Sequence, residues 1–387
     1  MVTLTRKKTI FYIEFLKITA ANTLSMIIQG LIAQDDCSIV LLCQKSSYLA
    51  KSLKGKNLRI YEIEYDEFRP RSIASYISYL RQLFLVMYII IRHRVDIIHC
   101  HRLNWAYLCI IPSLILRVPL YVHIVIIEKL ESRFQNYLLH LHKYIRYIAV
   151  SKDALKQFKH LYKGAVHFGT HHYGGLFFPE LEKWRNVRLN EFEKKQNTNV
   201  RIVALVSRMD PLKGVDIFIE AAALLAKKYK GLQFVHYGNH SDYVFRDQYY
   251  EECKQRVKNL GLTSRFRFFD YTDEILAAYK YFYICVLPTY KDTLSFVNLE
   301  ANYFMKPVIF TDVDGLMETS NPAFNCSIPY PPSPLLLAQK IDWLLQDTQK
   351  YSVLQNQVSG YVHRKFNAEK NAKRLMRLYT IHGVPAL

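Results

Sequence analysis

Tyr290-Lys-Asp-Thr-Leu-Ser-Phe-Val-Asn-Leu-Glu-Ala-Asn-Tyr-Phe-Met-Lys-Pro307 sets two carboxylates, Asp292 and Glu300, around the start of a helix. The apolar run Tyr283 to Leu287 just before it reads as a buried strand. A strand that turns into a helix brings unpaired N–H groups and the positive dipole end to one spot, which suits a phosphate. An ionised carboxylate only accepts hydrogen bonds and can take several O–H donors, so the same spot suits sugar hydroxyls.

Working outward, the same alternation fills the chain. In the first half, Thr9 to Ile13, Cys37 to Cys43, Leu58 to Tyr61, Asp96 to Cys100 and Leu120 to Ile126 read as strands. Asn22 to Ala33, Ser75 to Arg94 and Trp105 to Leu116 read as helices between them. The second half repeats the pattern. Its strands are Arg201 to Val206, Leu232 to Tyr237, Phe266 to Phe269, the Tyr283 run and Val308 to Phe310. Its helices are Val215 to Lys228, Gln248 to Leu260, Asp273 to Tyr279 and the one that starts at Ser295. Strands alternating with helices predict parallel sheets covered on both faces. The expected fold class is therefore α/β, with two Rossmann-like doubly wound domains facing a cleft and ligands beyond the strand carboxyl ends.

The 387 residues exceed what one core usually serves. The polar stretch Lys183 to Asn199 is the natural linker. Expected domains are 1–182, a linker over 183–199, 200–363, and a closing helix within 364–387 that crosses back to the first domain. Half of the residues are hydrophobic and 14% are aromatic, which excludes a disordered chain. Of seven cysteines without close spacing, Cys37, Cys43, Cys100, Cys109 and Cys285 sit in apolar runs and read as buried side chains, with no disulfide framework and no metal motif. A reducing cytoplasm is the compartment this usage suggests. Glu14 and Lys17 break the apolar N-terminal stretch, which reads against a signal peptide. Arg81 and Arg92 bound the apolar run Leu83 to Ile91, so no membrane-spanning helix is expected.

The formal charge is +19, from 52 Lys and Arg against 33 Asp and Glu. Such an excess calls for an anionic partner. Much of it lies in the first half, from Arg6, Lys7 and Lys8 to Arg92 and Arg94, interleaved with Tyr76, Tyr79, Phe84 and Tyr88. That basic, aromatic stretch suits peripheral docking on an anionic membrane, at the inner face of the plasma membrane. No helix-turn-helix, RNA-recognition or zinc-finger pattern points to nucleic acid.

The second domain opens with Val206-Ser-Arg-Met-Asp-Pro-Leu-Lys-Gly214. Arg208 and Lys213 fall at a strand's carboxyl edge, where two cations would neutralise a diphosphate as it leaves. Read alone, this is an ordinary βα loop with basic residues in water, and Glu300 an ordinary helix carboxylate.

Taken together, the segments resemble the retaining GT-B glycosyltransferases of family 4, also called group 1. Their S/G-R-x-x-x-x-K-G loop is matched by Ser207 to Gly214, and their E-x7-E segment by Asp292 to Glu300. Further matches are Leu232 to Gly238, Val286 to Thr289, Lys306 to Ile309 with Asp312 to Glu318, Asp96 to His101, and Ala149 to Ser151. The resemblance implies a hexosyltransferase-type enzyme needing no metal and no cofactor besides its nucleotide-sugar donor. Its acceptor would be a glycan or a lipid-linked acceptor, in bacterial surface polysaccharide synthesis. Arg208 and Lys213 would grip the diphosphate, with Gly238 near the nucleotide. Backbone N–H groups of Leu294, Ser295 and Phe296 would face the distal phosphate. Glu300 would bind the ribose hydroxyls and Asp292 those of the transferred sugar. His101 and His123 are the catalytic candidates of the first domain, and the His171 to Gly175 loop reads as a hinge.

The chain departs from the pattern in five places. Asp292 stands where Glu is usual, and Ser295 where Gly is common. The glycine pair before Glu318 is Asp314-Gly315, the loop Lys17 to Thr23 has no glycine, and His123 falls two residues early. These departures also fit a different class, a catalytically degenerate GT-B protein that only binds nucleotide. A nucleotide-sugar epimerase on the same fold is a third reading.

Overall fold

The computed structural model describes residues 6–15, 22–65, 73–127, 129, 137, 145–164, 166–189, 200–238, 244–270 and 274–381. The chain forms two compact units, Met1–Phe177 with Asn367–Leu387, and Phe178–Phe366.

Seven strands build the sheet of the first unit: β1 (Lys8–Glu14), β2 (Cys37–Gln44), β3 (Arg59–Ile63), β4 (Ile97–Cys100), β5 (Leu120–Ile124), β6 (Arg146–Ala149) and β7 (Phe168–His171). Their order is β3-β2-β1-β4-β5-β6-β7 and every neighbour pair is parallel. β1 and β2 are apolar almost residue by residue because both faces are covered. Tyr12 sits opposite Leu41 of β2 and His99 of β4. Helices Asn22–Gln34 and Ala368–Ile381 pack on this sheet, with Leu24, Ile28, Leu31, Ala372, Leu375 and Tyr379 in one core. Gly30 allows the two helices to approach, since a Cβ there would stand 2.7 Å from the Ala368 carbonyl oxygen.

The second unit holds six strands: β8 (Arg201–Val206), β9 (Leu232–Tyr237), β10 (Phe266–Phe269), β11 (Ile284–Leu287), β12 (Val308–Thr311) and β13 (Ser327–Ile328). They run β10-β9-β8-β11-β12-β13, again all parallel. In both sheets the winding reverses once, between β1 and β4 and between β8 and β11. Such switch points leave a crevice at the carboxyl edge.

The structure corrects the expected ends of elements. The helix read over Arg364 to Tyr379 is two helices, Thr348–Lys365 and Ala368–Ile381. Buried Phe366 closes the first, and the Asn367 side chain accepts the Lys370 N–H at 2.9 Å to cap the second. The units part at Phe177–Phe178, ahead of the polar stretch, and Lys183 and Arg185 lie within helix Phe178–Arg185. Of that stretch, residues 190–199 fall outside the described residues, as do residues 17–21 of the glycine-free loop. Trp105 belongs to a 3-10 turn (Leu103–Trp105) that precedes helix Ala106–Leu116. β6, β7, β13 and helices Lys152–Leu161, Pro334–Leu345 and Thr348–Lys365 are additions to the sequence reading. All seven cysteines are buried, and none forms a disulfide.

Candidate functional site

In the second unit the switch point is built by loops that pin one another. Ser207 closes β8 by donating its N–H to the Tyr237 carbonyl at 2.9 Å. Asp210 then organises the turn Pro211–Lys213: its carboxylate accepts the Leu212 N–H at 3.0 Å and its carbonyl accepts the Lys213 N–H at 2.8 Å. Gly214 follows with φ 65°, and a Cβ there would stand 2.0 Å from the Pro288 carbonyl oxygen. Only glycine meets both demands. From the other side, the Tyr290 N–H and the Thr289 hydroxyl each reach the Leu212 carbonyl at 2.8 Å.

This bracing delivers Lys213 to Asp292. The Lys213 Nζ lies 3.1 Å from Asp292 Oδ2, with side chains 20% and 18% exposed. The Asp292 N–H donates at 3.3 Å to the Asp314 carboxylate, so the loop after β12 joins those after β8 and β11. Three residues on, the Ser295 hydroxyl accepts the Asn298 N–H at 3.3 Å and caps helix Phe296–Tyr303. Leu294 and Ser295 are buried at that helix start.

Glu300 lies one turn further and is buried. The Tyr279 hydroxyl donates to its Oε2 at 3.1 Å. Burial pushes the carboxyl pKa up to about 7, against the opposing pull of the Tyr279 hydrogen bond. Beside it, the Asn302 amide donates to Asn298 at 2.8 Å and the Asn298 amide to the Thr319 hydroxyl at 2.6 Å.

The residues singled out from sequence thus separate into groups. Lys213 and Asp292 meet. Arg208 is 57% exposed on its side chain, with an Nη2 3.6 Å from Asp210 Oδ2. Glu300 pairs with neither cation among the described residues; its hydrogen-bond partner is Tyr279. Gly238 is explained by packing, because a Cβ there would fall 1.6 Å from the Ser207 carbonyl oxygen.

The switch point of the first unit carries buried imidazoles. Glu14 ends β1, His101 follows β4, and His123 lies near the end of β5. Glu14 Oε2 is 2.8 Å from His101 Nδ1, both side chains being buried. This contact engages Nδ1 and leaves Nε2 facing away from the pair. His123 Nδ1 lies 3.3 Å from His99 Nε2, and His99 Nδ1 lies 2.5 Å from the Tyr379 hydroxyl, itself 3.0 Å from the Tyr12 hydroxyl. Burial drives the pKa of His99 and His123 well below the usual range, with His101 adding to the effect. Among the described residues, the buried Nε2 atoms of His101 and His123 have no hydrogen-bond partner. His172, in the expected hinge, accepts the Gly174 N–H at Nδ1 and donates Nε2–H to the Asn371 carbonyl at 2.8 Å.

Several of these groups escaped the sequence reading. The Asp210-Pro211 pair was a legible turn signal for Asp210. Glu14, a carboxylate inside an apolar strand, reads from sequence only as a break in that run. Tyr279 and Tyr379 carried no signal, because their partners stand 21 and 280 residues away. Among the described residues, no group of three or more His, Cys, Asp or Glu is arranged to hold a metal ion.

Residues 187–379 match the family model of glycosyl transferases group 1. An uncharacterized glycosyltransferase of Methanocaldococcus jannaschii is 25% identical over 182 residues, 47% of this chain and 45% of that protein, so the match spans under half of the relative's length. Among solved structures, a glycosyltransferase from Rickettsia africae superposes with a TM-score of 0.82 at 18% identity, covering 98% of this chain and 99% of that one. Anabaena HepE in complex with UDP gives a TM-score of 0.78 at 18% identity, covering 96% and 100%. At such identities the likeness is one of fold. The two parallel-sheet domains are those of GT-B glycosyltransferase structures, and the match to the glycosyl transferases group 1 family covers residues 187–379, just under half of this chain.

Proposed function

We propose that this protein transfers a sugar from a nucleotide-sugar donor to a hydroxyl of a glycan or lipid-linked acceptor, with retention of the anomeric configuration. The observation that carries this reading is the Lys213–Asp292 contact at the switch point, beside the capped start of the helix that holds Glu300. HepE, a protein of the same fold, has been solved with UDP and with UDP-glucose, which supports a nucleotide-sugar as the donor class.

On this reading the donor diphosphate takes over the Lys213 ammonium, each charge-assisted hydrogen bond contributing ~1.5–3 kcal/mol. Asp292, released from Lys213, accepts hydroxyls of the transferred sugar. Exposed Arg208 swings onto the diphosphate, and N–H groups of Leu294, Ser295 and Phe296 meet its distal phosphate. Glu300 binds the ribose hydroxyls as a carboxylate. The bond from C1 to the phosphate oxygen breaks while the acceptor oxygen bonds to C1 on the same face, and the acceptor's proton passes to the departing phosphate. Arg208 and Lys213 neutralise the departing charge, so the step is expected to need no divalent cation. His101, held by Glu14, takes a substrate hydroxyl on the acceptor side.

A degenerate, nucleotide-binding shell is the second reading. It is favoured by one fact, that Lys213 and the shorter Asp292 already satisfy each other. Turnover separates the two. With a panel of nucleotide-sugars and acceptor extracts, an enzyme releases nucleoside diphosphate in the presence of EDTA, and NMR finds the donor's anomeric configuration in the product. Lys213→Ala is expected to lower kcat/KM by ~10²-fold or more, the usual loss when a group that stabilises the leaving charge is removed. Glu300→Ala is expected chiefly to raise KM, because its ribose contacts form before the transition state. Tight nucleotide binding without turnover on any donor would leave only the shell.

A further inference from the structure

Helix Ile73–Arg92 carries apolar side chains on two faces, one buried and one exposed. Tyr79, Leu83, Val86, Ile89 and Ile90 are buried, on the side that packs against helix Ala106–Leu116. On the other side Ile73, Tyr76, Leu80, Phe84, Tyr88 and Ile91 recur at steps of three and four and are between 48% and 81% exposed. This corrects the sequence reading in detail, because Tyr79, read there among the docking aromatics, faces inward. The neighbouring helix adds Leu114 and Ile115, at 46% and 60% exposure. A run of this size on a soluble surface marks an interaction site.

Its chemistry selects the partner. Arg81 and Arg92 border the stripe, Arg94 follows it, and Arg117 caps the neighbouring helix; all four are exposed. None of them forms an ion pair among the described residues, whereas Arg6 and Lys7 are paired with Asp96 and Asp35. Residues 73–127 contain a single carboxylate side chain, Asp96, which Arg6 already holds. A second copy of the chain, docked face to face, would set these guanidinium groups against one another with no acid to receive them. An anionic lipid surface offers apolar depth and negative charge together.

We propose that helix Ile73–Arg92 is a membrane-docking element that lies in the plane of an anionic bilayer, the stripe from Ile73 to Ile91 inserted and Arg81, Arg92, Arg94 and Arg117 at the headgroups. By length and composition the helix could also cross a membrane. Crossing would pull Val86 and Ile89, both fully buried, out of the unit's interior, so the in-plane arrangement is the one consistent with the packing. This surface is independent of the sugar-transfer reading and would stand if that reading failed.

Vesicle flotation of the full chain tests it, comparing phosphatidylglycerol–phosphatidylcholine vesicles with pure phosphatidylcholine. The chain is expected to float with the anionic vesicles and to be released as salt is raised. Phe84→Asp with Ile91→Asp, and separately Arg81→Glu with Arg92→Glu, are each expected to reduce partitioning at least about tenfold. These side chains are exposed, so circular dichroism and the melting temperature should be unchanged, which separates docking from misfolding. Failure to float with anionic vesicles, equal binding to neutral ones, or variants that bind as before would overturn the proposal. So would a dimer of the parent chain that the Phe84→Asp, Ile91→Asp variant converts to monomer.

Discussion

Glu300 sits under two opposed demands. In the proposed function it accepts ribose hydroxyls, which favours the ionised form, yet burial raises its pKa to about 7. In the folded chain it therefore holds a proton between pH 4.5 and about 7 that it loses on unfolding. Folding is thus favoured in the acid part of that window and loses up to ~3 kcal/mol as pH rises through it, a contribution of the opposite sign to that of a salt-bridged acid. Denaturant titrations at pH 5 and pH 8 should show Glu300→Gln flattening this dependence while leaving the acid-side stability nearly unchanged. An identical pH profile for the variant would mean that Glu300 is ionised throughout. Lys213 and Asp292, in contrast, are each legible in the sequence as loop residues that follow a strand; that they meet depends on β8 and β11 lying side by side in the sheet.

Elements set the precision of the site. The turn Pro211–Lys213 is held by the Asp210 carboxylate, by Gly214 against Pro288, and by Thr289 and Tyr290 on the Leu212 carbonyl. Gly214→Ala would place a Cβ at 2.0 Å from a carbonyl oxygen in a left-handed backbone conformation. The strained conformation alone costs ~1 kcal/mol, and relieving the clash must move the loop after β8 away from the loop after β11. The expected result is a melting temperature lowered by several degrees together with loss of nucleotide stabilisation in a thermal-shift assay. A variant that melts lower but keeps full ligand-induced stabilisation would show that the loop spacing is not what positions Lys213. Glycine at 214 was visible in the sequence; its neighbour Pro288, 74 residues on, was not.

At the scale of the whole molecule, the two units carry buried groups that respond to pH in opposite directions. In the first, burial lowers His99 and His123 well below 6.5 and takes His172 down to about 4. These imidazoles are neutral when folded and take up protons on unfolding, so their contribution to stability is complete above pH 6.5 and declines as pH falls from there towards about 4. Glu300 makes the second unit change the other way across the upper part of that range. Calorimetry between pH 5 and pH 8 should therefore show the two transitions moving in opposite directions, and the one shifted by Glu300→Gln belongs to the second unit. Transitions that move in parallel would show that these buried groups do not govern the pH response.

Strand and helix alternation, the carboxyl-edge location of Arg208, Lys213, Asp292 and Glu300, and the family resemblance were all determined by the sequence, because periodicity and loop chemistry are local properties. Tertiary structure alone decided which of those residues meet. It paired Lys213 with Asp292, turned Arg208 to solvent, enclosed Glu300 behind Tyr279, and joined Tyr379 to a histidine 280 positions earlier. It also decided which face of helix Ile73–Arg92 stays uncovered. Contact between distant segments and burial in a shared interior arise only when the sheets close, and no pattern of neighbours along the chain encodes them by itself.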